Sequence, residues 1–398
     1  MENNSAKIIA ELDDEIIKYT VFQLDEKSNY EILTKKISNN TGIKKGNVLD
    51  IGDASKVIVR DLEEIEKKLD KIFRSISVVV NQKEILCTNC SGFKRLNGSK
   101  VEKRDLDYIL NEAKSSISKN QKKNSILHIL NSNFIIDKIK QNKIPLNLFG
   151  EHLSMHMTFI TIPSNNLKNI NSVLSHNDLQ IDRIVSKPFA DSIYLLNQKK
   201  DLKNFVIIHV GDDLSTVSLY EDASLVFFKT FPFGSNTIYE DLTQLCSLKK
   251  DEIELIISSL NLDDLQKNKN KYIDEKFFTV SDYKKLSVEH FQNIIDARIK
   301  EIIDYTFNKN KNLSYLYNKI SNIYLSFEND IVHQNLGTLF KKAINIEQNK
   351  LFIETHKQDD FGSLMGTAEL LFKGWHKEAI PFSYKKKSII SGFFERFF

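Results

Sequence analysis

Apolar positions along the chain follow two periods. Residues 204–210 (NFVIIHV) are almost wholly apolar and predict a buried strand. Residues 214–220 and 224–231 predict two more, and the Glu221-Asp222-Ala223 gap between them suits a tight hairpin. Residues 153–162 alternate apolar and polar like a strand with one buried face, and 126–137 also predict strand. The helical period appears over 60–75, with Leu62, Ile65, Leu69 and Ile72 or Phe73 inward, and over 103–118, 236–246 and 252–260. It is clearest over 289–308, where Phe291, Ile294, Ile295, Ile299, Ile302 and Ile303 share a face. Polar stretches at 118–124 and 262–275 read as loops. The alternation predicts an α/β chain with a smaller α+β insertion.

The 398 residues are enough for two or three domains, and Lys+Arg 56 against Asp+Glu 53 leaves +3. So balanced a charge argues against nucleic-acid binding. No apolar run is long enough to span a bilayer, and the first residues lack a signal pattern. Three cysteines imply no disulfide framework and fit a reducing cytoplasm.

Neither a P-loop nor a dinucleotide-binding glycine motif occurs. Cys87 and Cys90 form a CxxC with no second ligand pair, which reads as two small buried strand-end residues. His152 and His156 would share a sheet face with Ser154, without an acid to complete a site. Asp13-Asp14-Glu15 and Asp212-Asp213 read as charged turns, with metal or acid–base work as the alternative.

The charge is concentrated at the C-terminus. Residues 373–398 hold six Lys or Arg against two acids, a local +4 that leaves the rest near −1. After Lys385, Lys386 and Lys387, apolar residues fall at Ile389, Ile390, Phe393, Phe394, Phe397 and Phe398, one helical stripe that also carries Arg396 beside it. About 14 residues at ~1.5 Å each are too short to cross a bilayer but suit a helix lying in its anionic interface. The alternative is a helix docked on the protein itself or on a partner.

Several segments, in order, resemble the FtsA family of actin-like bacterial cell-division proteins. Gly42 to Gly46 followed by Asp61-Leu62-Glu63 resembles the family's entry to its first long helix, and Ser91-Gly92 its next strand end. Ile126-Leu127-His128-Ile129 resembles "VLHVIP", and Ile144 to Gly150 resembles "NPVGLSG". Ile184 to Ala190 resembles "ixEPLAS", Phe231 to Gly234 "iPvGg", and Gly362 to Gly374 the closing "AxGLLxyG" helix. The resemblance implies a two-lobed actin/Hsp70 ATPase fold with an FtsA-type inserted subdomain and a C-terminal amphipathic membrane-targeting helix. It divides the chain into lobe I (1–92 with 163–202), the insert (93–162), lobe II (203–248 with 303–380), a subdomain at 249–302, and the tail at 381–398.

The family binds ATP with Mg between its lobes through glycine-rich hairpins, and here those motifs are degenerate. "GLDIGTSK" aligns with Glu11 to Lys18, so Glu15 stands at the phosphate-facing glycine. "DIGGGTTDIAVF" aligns with His209 to Tyr220: Gly211 remains, Asp212 and Asp213 replace glycines, His209 the leading Asp and Thr216 the second. "ivLTGGgA" aligns with Ile323 to Asp330, placing Phe327 and Glu328 at its glycines. The family's Glu-x-x-Lys helix contact has no Lys between Ile253 and Leu260. A Cβ blocks close approach of phosphate to backbone, and carboxylates repel it. The expectation is a pseudo-ATPase with no catalytic residue, metal or cofactor. The alternatives are weak ATP binding through Mg, an active ATPase of the same family, or a PilM-like pilus-assembly homologue of the same fold.

Arg298 matches the family's Arg in a "vxPRxxE" helix, which implies a contact with the acidic FtsZ tail. The resemblance further implies other divisome partners, self-association, anionic inner-membrane lipids as the tail's target, and a peripheral place at the division site.

Overall fold

The computed structural model describes residues 6–13, 16–24, 30–141, 143–175, 178–260, 262, 270–313, 320, 322–345 and 352–379. They fall into two compact units. The first draws on Met1–Lys203, Tyr220–Phe228 and Phe361–Phe398, the second on Asn204–Leu219 and Lys229–Asp360.

The first unit is built on strands β1 (Lys7–Leu12), β2 (Ile16–Leu24) and β3 (Tyr30–Asn39), an antiparallel meander. The short pair β4 (Ile43–Lys44) and β5 (Asn47–Val48) leads into helix α1 (Ile51–Leu69). Strand β6 (Ser75–Val80) then runs parallel to β1. Helix α1 starts well before residue 60, where the sequence suggested. The Asp50 carboxylate caps it by accepting from the Asp53 N–H at 2.8 Å, and Ala54 and Ile58 extend the buried stripe of Leu62 and Ile65. It ends at Leu69 because Asp70 turns left-handed at φ 50, which leaves Ile72 exposed and Phe73 buried beyond the helix.

An inserted α+β subdomain follows. Its strands are β7 (Leu86–Arg95), β8 (Asn124–Ile136), β9 (Ile139–Gln141) and β10 (His152–Pro163), in the order β7-β10-β8-β9. Helix α2 (Lys103–Asn120) crosses β7, pressing Ile109 so closely on Gly92 that a Cβ there would lie 2.4 Å from Ile109 Cγ2. The insert thus begins at Leu86, ahead of the expected residue 93. Cys87 and Cys90 lie within β7, both half-buried rather than buried strand-end residues. His152 and His156 do share the more exposed face of β10 with Ser154.

The chain returns through α3 (Ser164–Ser175), β11 (Gln180–Ser186), parallel to β6, and α4 (Lys187–Gln198). The resulting sheet has the order β11-β6-β1-β2-β3.

The second unit's sheet repeats that plan, although the end of its second strand and most of its third, Tyr220–Phe228, cluster with the first unit. Strands β12 (Phe205–Val210), β13 (Ser215–Glu221) and β14 (Ser224–Phe231) are followed by β15 (Asn322–Phe327) and β16 (Phe352–Lys357), in the order β14-β13-β12-β15-β16. Strand β12 is buried at every position, as its uninterrupted apolar run predicts. Helices α5 (Asn236–Cys246), α6 (Lys250–Ser259), α7 (Val288–Ile303) and α8 (Asp330–Ala343) belong to this unit. The helix expected over 289–308 is α-helical only to Ile303 and closes with a π-turn, Asp304–Asn308.

The last described helix, α9 (Gly362–Phe372), clusters with the first unit, although the sequence reading placed it in the second. The reason is close packing: a Cβ on Gly366 would sit 1.9 Å from the Ala190 carbonyl oxygen of α4, so only glycine lets the two helices meet.

Candidate functional site

The two β-hairpins that open the two sheets, β1–β2 and β12–β13, carry most of the residues that align with the nucleotide-binding motifs. In the first unit, Glu11 pairs with Lys18 across the hairpin and is fully buried. Lys187 Nζ, from the first turn of α4, lies 2.9 Å from Glu11 Oε1, and Lys18 Nζ lies 3.9 Å from it. The Ser363 hydroxyl of α9 donates to the other carboxylate oxygen. Lys18 also donates to Asp13 at 3.1 Å, and Lys187 lies 3.6 Å from Asp191. Burial alone would push the Glu11 carboxyl up. The Lys187 and Lys18 ammonium groups and the Ser363 hydroxyl overcome it and hold the carboxyl down at about 2. Lys18, the one cation the alignment offered to a phosphate, is therefore held by two carboxylates of its own hairpin. Glu15 and Asp14 lie outside the described residues.

Glu11, Lys187 and Ser363 were not picked out as site residues. One signal for Lys187 was present: where the related motif reads "EPLAS", this chain has a charge-reversed Lys187-Pro188-Phe189-Ala190. Nothing in the local pattern marked its partner.

The second unit's hairpin is closed in another way. Gly211 is hemmed in: an added Cβ would lie 2.7 Å from Leu214 O, 2.9 Å from Glu328 Oε2 and 3.2 Å from His209 Nε2. The Glu328 carboxylate accepts the Asp212 N–H at 3.2 Å. The Ser235 hydroxyl donates to Asp212 Oδ1 at 2.9 Å, and the Ser235 and Asn236 N–H groups bond the Gly211 and Asp212 carbonyls. Gly234 permits this approach, since its Cβ would fall 2.2 Å from the Gly211 oxygen. His209 is buried, with Nδ1 3.4 Å from the Ser326 hydroxyl. Thr216 faces Thr230, hydroxyl to hydroxyl at 3.2 Å. Phe327 is wholly buried, edge-on to Phe340 at 5.1 Å. Asp213 also has a polar or electrostatic partner of its own. His209, Gly211, Asp212 and Glu328 thus come together locally, while Thr216 and Phe327 take up packing positions.

Arg298 on α7 is already engaged. Its Nε and Nη2 donate to Asp241 of α5 at 2.6 and 2.8 Å, and Nη1 donates to Glu301 at 2.5 Å. The amphipathic segment, with Lys385, Lys386, Lys387, Ile389, Ile390, Phe393, Phe394, Arg396, Phe397 and Phe398, lies outside the described residues. Among the described residues no cluster of His, Cys, Asp or Glu could hold a metal, and no helix is long and apolar enough to cross a membrane.

Residues 83–161 match the SHS2 domain inserted in FtsA. The chain is similar to the cell division protein FtsA of Buchnera aphidicola from Acyrthosiphon pisum, 23% identical over 265 residues, 66% of this chain and 62% of that protein. It is similar to FtsA of Escherichia coli K12, 22% identical over 215 residues, 54% of this chain and 51% of that one. The match thus spans about half to three-fifths of these relatives. Among solved structures, the PilM–PilN type IV pilus biogenesis complex aligns with a TM-score of 0.56 at 8% identity, covering 93% of this chain and 97% of the other. That likeness is one of fold, and the fold is actin-like. The chain is thus similar to FtsA in its inserted domain and over more than half of its length.

Proposed function

We propose that this FtsA relative is a cell-division adaptor that tethers FtsZ filaments to the cytoplasmic face of the inner membrane without binding or turning over ATP. One observation carries the nucleotide half of the proposal. In each unit the hairpin that a relative would turn toward phosphate is satisfied from within: Glu11 holds Lys187 and Lys18, and Glu328 takes the Asp212 N–H. A phosphate arriving at the first would meet carboxylates whose cations are already paired. At the second it would have to displace an anion that forms part of the fold. The actin-like frame then serves as scaffold, a role that requires a shape and surfaces and no catalytic group. Isothermal titration of the purified chain with Mg-ATP tests this; no heat of binding is expected, and micromolar binding would mean that ATP is retained.

The adaptor role follows from the relatives' name as division proteins and from the tail's pattern. We infer that the amphipathic segment binds anionic lipid weakly in one copy and firmly when self-association presents many copies. Phe394→Asp with Phe397→Asp should abolish pelleting with anionic liposomes and localisation at mid-cell, and retention of both would remove the anchor.

For FtsZ, the face of α7 around Arg298 is the proposed dock. An acidic peptide there must compete with Asp241 and Glu301. Asp241→Asn should accordingly strengthen capture of an FtsZ tail peptide and Arg298→Glu should abolish it, and indifference to both would exclude this face.

A further inference from the structure

A cavity of about 370 Å³ lies within the first unit, lined by residues from β8, β9, β11 and the segment that follows α9. None of the hairpin residues discussed above lines it. Among its lining residues Phe134, Ile144 and Trp375 are apolar, Lys143, Arg183, Lys373 and Lys377 are cationic, and Glu378 is the one acid.

Arg183 is the informative member. It is 5% exposed, and its Nε–H has no hydrogen-bond partner among the described residues. A bulge in β11 between Ile181 and Arg183 re-aims the chain at this point. One end of the guanidinium is accounted for, since Nη2 donates to the buried carboxylate of Glu378. That carboxylate is itself fixed. His128 Nε2 accepts the Ser186 N–H at 3.1 Å, so the ring proton is on Nδ1, which donates to Glu378 at 3.0 Å. Burial holds the His128 pKa below its usual value, consistent with a neutral ring. Glu378 therefore balances one cation, Arg183. Lys143 is exposed at the rim. Burial, with Lys140 nearby, depresses the Lys377 pKa despite Asp222, as befits an ammonium short of counter-charge.

Carboxylates and phosphates are the acceptors that arginine and lysine recognise best. A cavity of this size accommodates a small organic molecule, and its apolar walls suit a planar ring. We propose that this cavity binds a small aromatic oxyanion, its carboxylate or phosphate taken by Arg183 with Lys143 and Lys377, and its ring against Trp375 and Phe134. The proposal stands apart from the nucleotide question, because its residues are different ones.

Trp375 is the chain's single tryptophan, so its emission reports occupancy directly. The full chain would be titrated with phenyl phosphate, benzoate, inorganic phosphate and benzyl alcohol, reading both Trp375 emission and the melting temperature. Phenyl phosphate or benzoate should change the emission saturably and raise the melting temperature, and the tighter of the two identifies the head group. Arg183→Lys keeps a charge opposite Glu378 but loses the planar guanidinium. Lys143→Gln changes an exposed side chain and should fold normally. Each should weaken binding by about tenfold, the loss of one charge-assisted contact. Binding of benzyl alcohol or inorganic phosphate as tight as that of phenyl phosphate overturns the proposal. So does no response to either aromatic anion, or affinities that neither variant alters.

Discussion

The two hairpins occupy equivalent places in two sheets of the same strand order, yet they are closed by opposite chemistry. At β1–β2 the fold buries an acid, Glu11, and brings it cations from its own hairpin and from α4. At β12–β13 the motif's glycine remains as Gly211, and the fold brings the next N–H, that of Asp212, an acid, Glu328, from just beyond β15. On the proposed reading, the difference teaches that a phosphate-binding geometry would be lost by supplying whichever partner the loop lacks. A turn that has gained carboxylates needs ammonium groups, and one that has kept a free N–H donor needs an acceptor. A relative that still binds nucleotide would need both to stay open.

That contrast can be broken most forcefully at Lys187. Lys187→Met leaves the buried Glu11 with the Ser363 hydroxyl and, as its cation, Lys18 at 3.9 Å, and should cost on the order of 3 kcal/mol, read by urea unfolding. Adding Glu11→Gln should restore most of it; if it does not, the pair is not what Lys187 serves. Glu328→Ala comes next, at about 1.5 kcal/mol, because it uncaps one backbone donor that water can partly reach. A loss as large as that of Lys187→Met would mean that the second hairpin is the more critical closure.

Acid sharpens the same comparison. The Glu11 carboxyl titrates lower in the folded chain, at about 2, than its ordinary 4.5. Its stabilisation is therefore complete above the ordinary value and drains away as pH falls from there toward 2. Glu252 behaves alike, since the N–H groups of Lys249, Ser281 and Val280 and the Ser281 hydroxyl, working against its burial, also hold it at about 2. The difference in acid unfolding between the wild type and the Glu11→Gln, Lys187→Met double variant isolates the hairpin's share; identical profiles would deny it one. The smallest effect belongs to Asp241→Asn, where loss of a partly exposed pair with Arg298 should cost about 0.5–1 kcal/mol by thermal melting.

Much of the fold was legible because burial imposes a period. The apolar run at β12, the alternation along β10 and the stripe on α7 each describe how a strand or helix meets a core, and each was found within a few residues of its predicted place. The ends were less legible. Helix α1 begins where Asp50 caps it and stops where Asp70 turns left-handed, single-residue events that periodicity over 60–75 does not register. The order of degenerate motifs indicated which glycines were missing and which acids stood in their stead. It did not indicate what had become of those acids.

The sequence by itself therefore determined the α/β alternation, the inserted subdomain, the family resemblance and the loss of the glycine motifs, because each is written in local spacing. Only the tertiary structure decided that Lys187 answers Glu11, that Glu328 answers the Asp212 N–H, that Asp241 already holds Arg298, and that Arg183, paired with Glu378, lines a cavity. Those partners lie 176, 116, 57 and, for Arg183 and Glu378, 195 positions apart. Charge pairing acts over a few ångströms in space, and no period along a chain encodes a neighbour that arrives from the other end of a domain.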